Sequence, residues 1–476
     1  MKVNIYTAMS MALLVLGCDF LDNKPKGLTI PGRCEDYEKL LNAQSLLNIQ
    51  GEEVVYFSDD VKLLGKEETA SNYIFLNKSD AIRNIFSFQP GQIYTDGTND
   101  NIWNNAYGRL FTYNTVIDEV MDSEGEDDRQ KLRIKSEALF ARAYEYFILV
   151  NLYGKHYNPL TADKDLGIPY IKEASINKKY VRNSVKEVYE FIISDLTEAE
   201  AGLSEVVPNK THPDRAAINS FYARLYLYMG NYEKALVFAN KALKSNDVLL
   251  NLNDYEKREG VTWGRVHLFG NKSVHYPDVN HPEANYLKFF DGFIQGEVML
   301  SDEMRDLFKK RLVPGQTDLR KEFFYAEDSV NLGRKDEFPG ECAYVFYADL
   351  NVGFTSVENY LIAAECEARV GTKERATDLL NKVRANRIKN YTPMAISSRE
   401  DVLLGVLEER RLEFAMKGGF RLFDLKRLNR EEKFKKTVVH KVDGNIYTLP
   451  PADIRYIFPV NREILNFNPD LPVYNR

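Results

Sequence analysis

The stretch Ala216–Leu243, AAINSFYARLYLYMGNYEKALVFANKAL, carries two helical patterns separated by a break. Ile218, Phe221, Tyr222, Leu225, Leu227 and Tyr228 recur at helical spacing. Gly230 and Asn231 then interrupt the run, and both residue types tolerate the positive φ of a tight turn. The second pattern runs through Tyr232, Ala235, Leu236, Ala239, Ala242 and Leu243. Small residues at Ala223, Ala235 and Ala242 let two antiparallel helices approach closely. Such a pair cannot bury its apolar face alone and needs neighbours. A second copy stands far downstream, at Asn359–Arg387, where Ala364, Gly371 and Ala376 repeat the register of Ala223, Gly230 and Ala235. The chain must therefore leave the helical array and return to it. The residues between are where function is expected.

Both units look like tetratricopeptide (TPR) helical hairpins. Around them the pattern predicts a helix from Cys34 to Leu46 and irregular polar chain from Val54 to Tyr73, including Ser58-Asp59-Asp60. Exposed aromatics (Tyr73, Phe75, Phe86, Phe88, Tyr94) follow among loop residues. A helix over Asp100–Met121 sets Trp103, Tyr107, Leu110 and Asn114 on one side, with Trp103 in the core. An acidic loop, Asp122–Gln130, precedes a helix over Leu132–Tyr153. Ser184 and Glu187 form a capping box for a helix ending near Leu203. From Ser245 to Thr355 periodicity fades and Gly, Pro, Asn and His rise. Within this excursion Ser301-Asp302-Glu303 opens a short helix. A further helix spans Arg399–Met416, and the last residues, rich in proline, read as loop. The fold class is mainly α: a TPR-like hairpin scaffold, near 100–243 and 356–428, with a long irregular insertion carrying loops and few short strands.

A formal charge of -7 with both signs interspersed argues against a nucleic-acid surface. The cysteines Cys18, Cys34, Cys342 and Cys366 form no CxxC pair, so zinc and thioredoxin-type readings fail. Cys366 reads as a small buried apolar side chain, while a Cys342–Cys366 bond or one using Cys34 stays open in an oxidising compartment. Residues 1–17, MKVNIYTAMSMALLVLG, have the charge and short apolar core of a signal peptide, too short to span a bilayer. Val15-Leu16-Gly17-Cys18 has the form of a lipobox, which makes Cys18 the lipidation site and the mature N-terminus. The alternative is an ordinary secretory signal with an incidental cysteine.

Four features in this order resemble the SusD/RagB family, the starch-utilisation-type nutrient-binding outer-membrane lipoproteins of Bacteroidetes. They are the lipobox followed by DFLDNKP; IWNNAYGRLFTYNTVI, with Trp103, Tyr107 and Asn114; the two separated TPR-like units; and ERRLEFAMKGGFRLFDLKRL, Glu409–Leu428. The resemblance implies one SusD-like domain over 18–476 and no enzymatic activity. It implies a lipid anchor on the outer membrane, facing the exterior, and delivery of an oligosaccharide to a TonB-dependent SusC-like transporter. RagB-like members imply peptides or another non-glycan ligand instead. A secreted helical glycosidase and a TPR scaffold that acts only through protein partners are further alternatives.

No cofactor or metal site is expected. His267, His275 and His281 match no helical ligand spacing, and Gly264–Ser273 departs from a phosphate loop. In Glu408–Leu428, Arg410, Glu413 and Phe414 share a helix turn, and Arg421 and Asp424 have the spacing of an internal ion pair. The expected role is bracing, not catalysis. Glycan binding needs exposed aromatic faces that stack on sugar rings, with polar side chains for the hydroxyls. The residues singled out are Trp263, Tyr276, Tyr286 and Tyr94 for stacking, and Arg265 and Asn285 for hydroxyls. The resemblance places such platforms before the Trp103 helix and in the excursion.

A Cys18→Ala protein should appear in the soluble fraction and incorporate no labelled palmitate. Membrane attachment equal to wild type would contradict lipidation at Cys18.

Overall fold

The chain is mainly α with short strands. The computed structural model describes residues 31–69, 74–174, 181–256, 266–268, 273–274, 279–291, 298–327, 329–330, 334–335, 340–344, 351–394 and 397–476. Cys18, the signal segment, Trp263, Arg265 and Tyr276 lie outside them.

Helix α1 (Cys34–Leu41) is shorter than its pattern, because the chain breaks at Asn42 before a further turn at Gln44–Leu47. Strand β1 (Asn48–Gln50) leads to a 3-10 turn, Glu52–Phe57, and to β2 (Val61–Lys62). This supposedly irregular polar stretch is interior: Val54 to Phe57 and the acidic Ser58-Asp59-Asp60 are buried. Helix α2 (Asp80–Phe86) is capped by Ser79, whose hydroxyl accepts from the Ile82 amide. Phe75, Phe86, Phe88 and Tyr94, expected at the surface, are buried as well. Phe86 and Phe88 both stack on the His440 ring, with centroids 4.1 and 4.6 Å away. Isolated aromatics in a loop-rich stretch have no periodicity that tells which way they face.

Helix α3 (Asn101–Glu119) starts where Asp100 accepts from the Trp103 amide at 3.0 Å, and Trp103 is in the core as expected. Helix α4 (Asp128–Tyr153) begins inside the predicted acidic loop because Asp127 caps it, accepting from the Gln130 amide. From Ser136 to Tyr153 it is buried almost all round, and its buried charges are paired: Glu137 with Arg133, Arg142 with Asp195 and Glu145 with Arg109. Helix α5 (Val185–Ala199) opens on the predicted capping box of Ser184 and Glu187 and packs along α4.

The first hairpin is α6 (Arg215–Met229) and α7 (Tyr232–Ser245). Gly230 turns the chain at φ 75°, and Asn231 caps α7. The excursion then yields β3 (Ala284–Tyr286), β4 (Phe289–Asp291), β5 (Met299–Leu300) and α8 (Asp302–Lys310), the last capped by Ser301 as predicted. It continues through α9 (Leu319–Phe324), β6 (Tyr325–Glu327), β7 (Cys342–Tyr344) and β8 (Phe354–Thr355). The second hairpin follows as α10 (Ser356–Val370) and α11 (Lys373–Ala385). Gly371 matches Gly230 in register but not in reason. Its φ is −104°, and an added Cβ would meet the Glu367 carboxylate at 1.8 Å. Helix α7 packs on α10, so the two hairpins are neighbours in space despite their separation in sequence. Helix α12 (Arg399–Glu413) packs on α10 and α11, and α13 (Phe420–Leu428) follows it.

Strand order β6-β7-β5-β2 ties the excursion to the N-terminal segment, and β4 pairs in parallel with β1. Strand β3 pairs with β8 across α4 and α6. The closing residues are not all loop. Strands β9 (Val438–Val442) and β10 (Asn445–Leu449) form a hairpin, and α14 (Arg462–Phe467) follows. Asp443 and Gly444 turn it with φ of 49° and 72°, so the Asp-Gly between alternating strands was a missed signal. One core extends from Ile49 to Leu471. Cys34, Cys342 and Cys366 are buried, and among the described residues no Cys342–Cys366 bond is made.

Gly353 lies so close to β3 that a Cβ would sit 2.1 Å from the Tyr286 carbonyl oxygen. Gly353→Ala should destabilise the protein by about 1–3 kcal/mol in denaturant titration. An unchanged midpoint would contradict this packing.

Candidate functional site

The Glu409–Leu428 signature builds a frame of buried ion pairs. Glu409 accepts from Arg320 at 2.7 Å and from Arg384 at 2.6 Å, joining α12 to α9 and α11. Glu413, one turn on, accepts from Arg320 at 2.8 Å and Arg387 at 3.0 Å. Arg387 also reaches Glu283 and the Leu250 carbonyl, so the same node holds the excursion. Arg410 faces the opposite way, donating to Asp424 at 2.9 Å and Glu358 at 3.4 Å. Arg427 spans Asp424 and Glu365, while Arg224 grips Glu358 bidentately at 2.9 and 2.6 Å. The expected Arg421–Asp424 pair is not made. Arg421 instead holds Asp59 bidentately at 2.6 and 2.8 Å, and Arg411 takes Asp60 at 2.7 Å. A helical spacing of three permits a pair, but tertiary partners from the buried 58–60 segment win.

The electrostatics follow from this pairing. Burial alone would raise the Glu409 and Glu413 carboxyls. The guanidiniums of Arg320 and Arg384 at Glu409, and of Arg387 and Arg320 at Glu413, outweigh it and hold both below their ordinary values. Asp424 is lowered in the same way by Arg410 and Arg427. Asp59 and Asp60 diverge. Burial opposes ionisation of both, but Arg411 and Arg421 drive Asp59 well below the usual range. Burial leaves Asp60 raised against the pull of Arg411, and the Asp59 charge adds to the rise. A divergent carboxylate pair can mark acid–base chemistry. Here Asp60 is 0% exposed and Asp59 5%, and both are held by guanidiniums of the frame. The frame braces the scaffold.

Above this frame lies a polar cleft of about 480 Å³. Its walls include Lys62, Glu68, Asp302, Glu303, Thr437 and Lys441. A second groove of about 620 Å³ shares Glu303 and Lys436 with it and runs between α8, α12 and α13. Lys436 bonds both Asp59 and Glu303, and Arg411 bonds Glu303 at 2.6 Å. The β2–β5–β7 pairing and the 2.6 Å bond from Lys62 to Glu341 bring described parts of the N-terminal segment and the excursion together here. Exposed carboxylates and amines of this kind pair with ligand hydroxyls. Nothing periodic in the sequence announces this convergence.

Of the residues singled out for binding, the structure corrects three. Tyr286 is 2% exposed, its ring edge-on to Phe140 at 4.9 Å. Asn285 is fully buried, donating to Ser220 Oγ at 2.9 Å and accepting from Asn246 at 2.8 Å. Strand β3 is covered on both faces, so all three of its residues are interior. Tyr94 is buried beside Asp100, whose carboxyl burial pushes up to about 6. His281 is buried too.

The helical-hairpin array with its strand-bearing excursion defines a TPR-like binding scaffold, and comparison with known proteins agrees. A family model described as starch-binding and associating with the outer membrane matches residues 19–227. A SusD family model matches residues 357–472. The chain belongs to the SusD/RagB family. It is 21% identical over 390 residues to SusD-like protein P38 of Formosa agariphila, covering 69% of this chain and 72% of the relative. A SusD superfamily crystal structure from Bacteroides thetaiotaomicron superposes with TM-score 0.70 at 21% identity, over 92% of this chain and 99% of that one. A laminarin-binding SusD-like protein does so with TM-score 0.60 at 18% identity, over 92% and 98%. Among the described residues no helix is long and apolar enough to cross a membrane.

Glu413→Gln should remove about 2–4 kcal/mol near neutral pH, because two buried guanidiniums each lose one counter-charge while Arg320 keeps Asp318 and Glu409 and Arg387 keeps Glu283. The folded Glu413 carboxyl lies below its unfolded value, so its contribution is full above about pH 4.3 and is lost as pH falls. The stability gap between variant and wild type should therefore narrow below about pH 4. A gap independent of pH in denaturation series would contradict the assignment.

Proposed function

We propose that this protein is a lipoprotein, anchored through Cys18 on the outer membrane and facing the exterior. It captures an oligosaccharide and passes it unaltered to a SusC-like TonB-dependent transporter. One observation carries the reading. The family models match the scaffold on either side and leave 228–356 unmatched, a stretch that contains the whole excursion. On this reading the flanks carry the family's sequence signature and the excursion supplies the ligand surface. Supporting it, the first match begins at residue 19, directly after Cys18. The polar cleft beside β2 and β5 offers carboxylates and amines suited to hydroxyls. The laminarin ligand of one structural relative makes a glucan the first class to test.

The mature chain, 18–476, acts as a single domain. Trp263 and Tyr276 supply the stacking faces, and Arg265 a hydroxyl partner. Asp302, 77% exposed on the cleft rim, supplies another.

A panel of soluble α- and β-glucans, other glycans and mixed peptides, read by calorimetry and by chromatography of products, tests this. Binding of one glycan class without product is expected. Trp263→Ala should weaken it roughly tenfold, as loss of one stacked ring does, and Asp302→Ala about threefold, both at unchanged melting temperature. Released sugars would favour the glycosidase alternative, and peptide capture without glycan binding the RagB-like one.

A further inference from the structure

A separate cavity of about 330 Å³ opens between the end of α4, the end of α13 and the 452–457 loop. Its inner wall holds Lys426, Asn429 and Tyr456, all buried, and its rim carries Lys155 and Arg430. Three polar atoms on this wall make no hydrogen bond of normal geometry: Asn429 Nδ2 and Tyr456 OH, which lie near each other, and His156 Nδ1. Buried polar atoms are normally satisfied, and three orphans converging on one cavity are a strong departure. Tyr456 and Asn429 are 4% and 5% exposed, so bulk water does not bathe them.

The charges have a sign. Lys426 donates to the Asn151 and Gly154 carbonyls, no carboxylate pairs with it, and burial lowers its pKa to about 7, so an anion in the cavity would hold it in the charged form. Arg430 donates only to the Tyr157 carbonyl and the Asn158 amide oxygen. The two carboxylates lining the cavity are already neutralised: Asp453 by Arg455 at 2.7 Å and Asp165 by Lys155 at 2.7 Å. Burial, with the Lys426, Arg430 and Arg427 charges, keeps His156 well below its ordinary pKa, hence neutral. The cavity thus combines uncompensated positive charge, two orphan donors and carboxylate oxygens able to accept from hydroxyls. Its volume lies at the lower end of small-molecule sites, about 300–1,000 Å³.

We infer that this cavity is a second ligand site, for a hydroxylated carboxylic acid of monosaccharide size such as a uronic acid. The carboxylate meets Lys426, Arg430, Asn429 and Tyr456, and the hydroxyls meet His156, Asp165 and Asp453. The site is distinct from the proposed glycan surface, and the two stand or fall separately.

The test titrates purified full-length protein with sodium glucuronate, glucose, acetate and sulfate at millimolar concentration, by calorimetry and thermal shift. Glucuronate should bind and raise the melting temperature, with glucose, acetate and sulfate each weaker. Arg430→Gln should weaken glucuronate binding about tenfold and Tyr456→Phe roughly threefold. Tyr456→Phe deletes a hydroxyl whose one side-chain neighbour for hydrogen bonding is the Asn429 amide, so without ligand it should melt within a degree or two of wild type. Glucose or a simple anion binding as tightly as glucuronate, or either variant binding like wild type, would overturn the proposal. So would oligosaccharide binding with no glucuronate binding, which leaves the proposed main function intact.

Discussion

The ion-pair frame around α12 is the constraint on which the other parts depend. Four residues within five positions, Glu409, Arg410, Arg411 and Glu413, point in three directions. They tie α12 to α9 and α11, to α10 and α13, and to the buried 58–60 segment. Removing charges from water costs several kcal/mol per ion, and pairing offsets this only when geometry is good and every lone pair is used. Here most members hold two partners at 2.6–3.0 Å, although Asp60 Oδ2, Arg384 Nε and Arg410 Nη1 are buried without one. Such a lattice tolerates little sliding. It fixes the register of the second hairpin against the first and anchors the excursion through Arg387, Glu283 and Leu250.

Rigidity of the array matters because the excursion has little core of its own. Several of its short strands lean on neighbours outside it: β5 pairs with β2, β4 pairs with β1, and β3 packs against an aromatic ring of α4 and a hydroxyl of α6. Loops held at both ends by a stiff scaffold can vary in sequence while keeping their position, which is how binding surfaces are commonly built. The match of family models to the flanks, 19–227 and 357–472, follows the same division.

The helical part was open to reading from the chain alone. Long periodic runs, such as the one opened by the Ser184–Glu187 box and the pair joined at Gly230, reach the structure almost unchanged, although Asn231 caps the second helix and does not share the positive φ of Gly230. Ends moved where a cap residue outranked the apolar pattern, as Asp127 did. The candidate site fared differently. Tyr94, Tyr286 and Asn285 were chosen as loop residues, yet each is interior, because short strands and turns covered on both sides show no alternation. Loop-like composition is a poor guide to exposure when a neighbouring element supplies the cover.

By itself the sequence determined the long helices of the array and their order, the two hairpin turns and the bracing role of the Glu409–Leu428 signature. Those depend on local periodicity, capping and charge spacing. Only the tertiary structure decided the partners. Arg421 chose Asp59 over Asp424, the 58–60 acids became interior, and His156, Asn429 and Tyr456 came to share one cavity. These contacts join residues hundreds of positions apart. Which of several nearby opposite charges a guanidinium takes depends on the packing that brings them within 3 Å, and that is not written in any local pattern.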